Sequence, residues 1–164
     1  MHRDGSPAEA RPTATVAAPS GADVEFAQQM VAHHAQAVRM SRALIAKPGA
    51  PERIAAIAEF IAHDQQREVD EMNAWLAAWD EPAHAGHGSG HGMISAAREA
   101  ELEKAPTRRA GPLFLRLMIE HHRGAIVMAR ALLDGDGRNV YTHGLAKHVV
   151  NEQTDENKAM AALL

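Results

Sequence analysis

The chain has 164 residues, of which 46% are hydrophobic, and its formal net charge is −4. That is enough for one domain with a buried core, and the absence of cysteine excludes disulfides and thiolate metal sites. Acidic and basic residues are interspersed, which leaves no basic stripe for nucleic acid and no polybasic patch for a membrane surface.

Only three Phe, two Trp and one Tyr occur, while Ala, Leu, Met, Glu and Arg abound, so the composition favours an all-α fold. Residues 1–21 form a flexible tail, rich in Ala, Pro, Ser, Thr and Gly from residue 5, too poor in apolar groups to order itself. Such a tail suits the stretch behind a removed export signal. No apolar run approaches the roughly 18 residues of a membrane-spanning helix.

The first helix is predicted over about 22–46, because Ser20 and Asp23 make a capping box and Lys47-Pro48-Gly49 stops it. The second runs over about 51–79, with Pro51 in its first turn and apolar residues at helical spacing up to Asp80. Trp75 and Trp79 fit its core side or a hydrophobic end plug. Gly and His dominate 83–92, and Met93–Lys104 reads as a short amphipathic helix ended by Pro106. Gly111-Pro112 opens the next helix to Leu133. Asp134-Gly135-Asp136-Gly137 makes a turn rather than a calcium loop, since the later ligands are missing. Tyr141 to about Leu163 closes the set.

One fixed shift superposes the two halves. It carries Phe26 onto Phe114, Met30 onto Met118, His33-His34 onto His121-His122, Ala37 onto Ala125 and Met40 onto Met128, then Asp64 onto Glu152, Gln65 onto Gln153, Glu68 onto Glu156 and Met72 onto Met160, without a net insertion. The organisation expected is therefore a tail 1–21 and a single domain 22–164: repeat one 22–80, a linker with the short helix 81–110, and repeat two 111–164. Two duplicated αα-hairpins would pack as a four-helix bundle.

On a helical wheel Phe26, Met30, His33, Ala37, Met40 and Leu44 share one apolar stripe, with His33 at its middle and His34 at its edge. His121 and His122 repeat this beside Met118, Ala125 and Met128. Asp64, Glu68, Glu152 and Glu156 lie on the apolar stripes of the partner helices, where unpaired carboxylates would cost several kcal/mol each. His33 and His121 are their expected partners. Imidazole and thioether together suit copper, above all Cu(I). The metal-binding set expected is then His33, His34, His121, His122, Met30, Met40, Met118, Met128, Asp64, Glu68, Glu152 and Glu156. The plainer alternatives are a buried His-carboxylate layer that fixes bundle register and methionines that merely fill the core. A second, Gly-rich cluster of His84, His87, His91 and Met93 could bind metal independently of the core.

With the segments Asp23-Val24-Glu25-Phe26, Met30-Val31-Ala32-His33-His34 and Met118-Ile119-Glu120-His121-His122 set down, the chain resembles the DUF305 family from about residue 22 to its end. The resemblance implies a ferritin-like bundle, export to the cell envelope, and copper binding by the His-His doublets and their methionines. One departure stands out: the acid three positions before the Phe is Asp23 in the first half but Gly111 in the second. The function expected is non-enzymatic copper sequestration or handling. A ferritin-like oxidase holding two iron or manganese ions is the alternative, although the usual Glu-x-x-His pair is missing. Zinc is a further candidate ion, and a structural or protein-binding bundle the third reading.

Overall fold

The computed structural model describes residues 16–83 and 90–164; His84 and His87 fall outside them. The described residues form five helices and no strand: α1 (Gly21–Ile45), α2 (Glu52–Ala78), α3 (Ala96–Lys104), α4 (Thr107–Asp134) and α5 (Val140–Ala161). Ser20 and Asp23 close the capping box on α1. α2 turns back through Lys47-Pro48-Gly49, where Gly49 takes a φ of 74° that only glycine adopts freely.

Hairpins α1/α2 and α4/α5 meet chiefly through α1 and α4, which run antiparallel along the centre. This splits the core in two. One apolar half joins Met40 and Leu44 of α1 to Phe114, Leu115 and Met118 of α4, with Met160 of α5. The other joins Phe26 and Met30 of α1 to Ala125, Met128 and Leu132 of α4, with Met72 of α2. The His-His doublets lie between Met30 and Ala37 on α1 and between Met118 and Ala125 on α4, and so separate the halves.

The exchange of Asp23 for Gly111 has a packing counterpart. Asp23 is fully buried, caps Ser20, and accepts hydrogen bonds from the Arg138 and Asn139 amides and the Thr142 hydroxyl at the start of α5. At the matching corner a Cβ on Gly111 would meet Ile54 at 3.0 Å and Pro51 at 3.6 Å, at the start of α2. Pro51 and Ile54 are the residues that the sequence shift carries onto Asn139 and Thr142. A polar corner in one half is thus matched by an apolar one in the other. α4 also begins at Thr107, a full turn before the expected Gly111-Pro112 opening, because Pro106 sets the helix start and Pro112 is tolerated near it.

The linker departs further from expectation. Residues 90–94 are packed against the core rather than independent of it. Ile94 is buried, and its N–H and carbonyl both bond the side-chain amide of Gln36 on α1 at 2.8 Å. Gly92, at φ 77°, lies so close to Gly124 that a Cβ on Gly124 would fall 2.2 Å from the His91 carbonyl oxygen. Two facing glycines allow backbone to touch backbone there. The His91 side chain stays exposed. Trp75 is half-buried and stacks on Tyr141 with ring centres 5.6 Å apart.

Candidate metal centre

All four histidines of the doublets are fully buried. His33 and His121 face each other across the α1/α4 seam, their rings stacked with centres 3.6 Å apart and planes 24° from parallel. None of their four ring nitrogens has a hydrogen-bond partner. Burial pushes both well below the usual histidine range, and the neighbouring histidines add to it, so both rings are neutral. The backbones of His91 and His121 approach His33 closely enough to favour its protonated form slightly, without hydrogen-bond geometry.

His33 and His121 are therefore inward, as the wheel predicts, but they do not meet the carboxylates. Their neighbours do. His34 Nε2 lies 2.7 Å from Glu68 Oε2, and His122 Nε2 bonds Glu156 Oε2 in the same way in the other half. The error has a physical source. A single amphipathic stripe assumes one covered face, whereas α1 is covered by α4 on the His33 side and by α2 on the His34 side, which widens its buried arc. With carboxylate as acceptor, each Nε2 carries a proton. Both Nδ1 atoms are buried and unpartnered.

Of the four carboxylates expected at the centre, Glu68 is almost fully buried; the side chains of Asp64, Glu152 and Glu156 keep 16%, 25% and 13% of their exposure. Asp64 is tied to Arg67 at 2.7 Å. Glu152 is pushed up to about 7 by burial and then by the charge of Asp64, with His148 opposing. His148 is the residue sequence reasoning missed. Its Nε2 lies 2.6 Å from Glu152 and 3.0 Å from Glu68, and the available signal was its four-residue spacing to Glu152 on one helix face.

The methionines occupy both sides of the histidine layer. Met30 and Met128 are in one apolar half and Met40 and Met118 in the other. Met72 and Met160, fully buried, join them. Each side of the layer thus holds three thioethers. Eight buried ring nitrogens lie on four imidazoles, six of them unpartnered, and imidazole nitrogen is a donor type that soft and borderline cations take.

This is an all-helical protein with a histidine layer between methionine-bearing half-cores. Residues 23–164 match the model of the family described as a domain of unknown function, DUF305, and the chain belongs to that family. A DUF305 fragment from Deinococcus radiodurans superposes with a TM-score of 0.81 at 29% identity, over 90% of this chain and 97% of that one. A DUF305 protein of Streptomyces coelicolor, provisionally assigned as secreted, gives 0.82 at 31% identity over 87% and 91%. CopM in its Cu(I)-bound form gives 0.72 at 28% identity over 86% and 94%, and CopM has also been solved with Cu(II) and with silver bound. No curated protein matches the chain in sequence. Among the described residues no helix is long and apolar enough to cross a membrane.

Proposed function

We propose that the chain is a non-enzymatic copper-handling protein of the cell envelope that takes up Cu(I) in the histidine layer. The carrying observation is the orientation of His34 and His122: each gives its Nε2–H to a carboxylate and leaves its buried Nδ1 without a partner. Metal-ligating histidines are held in this way, by an outer carboxylate that fixes the tautomer and raises the basicity of the other nitrogen. Glu68 and Glu156 then position ligands rather than ligate the Cu(I). The ligands proposed are His33, His34, His121 and His122, with thioethers from Met30 and Met128 or from Met40 and Met118. Neutral imidazole and thioether are the donors that Cu(I) prefers, and burial keeps the His33 and His121 rings neutral. The copper- and silver-bound CopM structures support the reading, as does the provisional assignment of the Streptomyces relative as secreted.

The test is Cu(I) competition against a chromophoric chelator, using untagged protein with His84, His87 and His91 changed to Asn to silence the linker. His34→Leu with His122→Leu should weaken binding at least a hundredfold, and Glu68→Gln with Glu156→Gln by about 10–100-fold. Unchanged Cu(I) affinity in the histidine pair would defeat the proposal and leave the layer as a structural feature.

A further inference from the structure

A second donor set lies between α2 and α5, nearer the surface. Asp64 and Glu68 are one turn apart on α2, and His148 and Glu152 one turn apart on α5. One ligand atom from each comes within 4.8 Å of all the others. Three features separate this set from an ordinary surface ion pair. The Nε2 of His148 faces both Glu68 Oε1 and Glu152 Oε2, yet it carries at most one N–H to divide between them. Glu68 is nine-tenths buried and divides its oxygens, Oε2 to His34 and Oε1 to this cluster. The neighbouring Arg67 guanidinium is held by Asp64 and shared with Glu71.

The two halves also differ here. The sequence shift that carries Asp64 onto Glu152 and Glu68 onto Glu156 carries Phe60, an exposed residue, onto His148. The imidazole is therefore present on one side only, so the set is single. A groove of about 380 Å³ lined by Glu68, Glu71, Tyr141 and His148 opens it to solvent.

We propose that Asp64, Glu68, His148 and Glu152 bind a divalent cation of borderline softness, Zn(II) or Cu(II). One imidazole with three carboxylates and no thioether suits those ions and not Cu(I). The ion takes the Nε2 position of the His148 ring, whose N–H then lies on Nδ1, and relieves the convergence of acceptor oxygens. Glu68 touches both this set and His34, so the two metal-binding regions share a carboxylate. The proposal stands without the Cu(I) reading.

Zn(II) titration calorimetry at neutral pH, on the full chain with His84, His87 and His91 changed to Asn, tests it. Wild type should bind one equivalent. His148→Phe, which installs the residue of the matching position, and Glu152→Gln should each weaken Zn(II) at least tenfold. Both should leave Cu(I) affinity within twofold of wild type. His33→Leu with His121→Leu, in which the four cluster residues are intact, should keep Zn(II) binding. Zn(II) affinity unchanged in His148→Phe, or lost in the His33/His121 variant instead, would overturn the assignment. Failure of Cu(I) to bind wild type would bear only on the histidine layer.

Discussion

Replacing both stacked histidines by leucine should make the metal-free protein more stable. His33 and His121 bury four ring nitrogens without partners, and an unsatisfied buried polar group costs about 1–3 kcal/mol. Leucines of similar volume remove that cost and forfeit an aromatic pair worth about 0.5–1.5 kcal/mol, for a net gain of about 2 kcal/mol or more at pH 7. Acid should widen the gap. Both rings are held well below 6.5 in the folded chain, so it is the unfolded chain that gains protons as the pH falls past 6.5. The wild type then loses stability as the pH falls from 7 to 5. The Leu/Leu variant lacks that loss. Urea unfolding of chelator-treated protein at pH 7 and pH 5 measures both quantities. A double variant less stable than wild type at pH 7, or a gap that stays constant with pH, would show that these nitrogens are satisfied and would refute the reasoning.

Other expectations follow from single contacts. Burial alone would raise the Asp23 carboxyl, but hydrogen bonds from Thr142, Ser20 and Arg138 outweigh it and hold it at about 2 against an ordinary 3.8. Asp23→Asn should therefore lose about 2 kcal/mol above pH 4 and show a flatter stability profile as the pH falls from 4 to 2; parallel profiles in acid urea titrations would count against this. Glu68→Ala should cost about 3 kcal/mol because it strands the fully buried His34, and Glu156→Ala less, its carboxylate being more exposed. The reverse ranking in thermal melts would remove burial as the cause. Gly124→Ala should cost about 1–3 kcal/mol by pushing its Cβ into the His91 backbone, and should speed proteolytic cleavage near residues 90–93; unchanged melting and cleavage would contradict that packing.

Much of the fold is legible in the residues. Capping at Ser20, the stop at Lys47-Pro48-Gly49 and the Asp134–Gly137 turn place the helix ends within a few residues, because those signals act locally. The inward direction of His33 and His121 follows from periodicity alone. What periodicity could not show is how many neighbours a helix has. α1 and α4 are each covered on two sides, so His34 and His122 are buried too and claim the carboxylates. His148 stayed hidden because Phe60 occupies the matching place in the other half, so a search for repeated ligands passes over it. The docking of residues 90–94 depends on a distant partner, Gln36, and on the pairing of Gly92 with Gly124; a Gly-rich composition by itself reads as a free linker.

The unlike corners at Asp23 and Gly111 make the two hairpins recognise each other and refuse themselves. Two copies of the first hairpin would set the Asp23 carboxylate against Pro51 and Ile54, a buried charge facing groups that donate nothing. Two copies of the second would leave Asn139 and Thr142 facing Gly111, with an acceptor missing and a small gap in its place. Only the pairing of unlike hairpins gives both corners a fitting neighbour. The polarity of two buried corners thus favours the pairing of unlike hairpins over that of like ones.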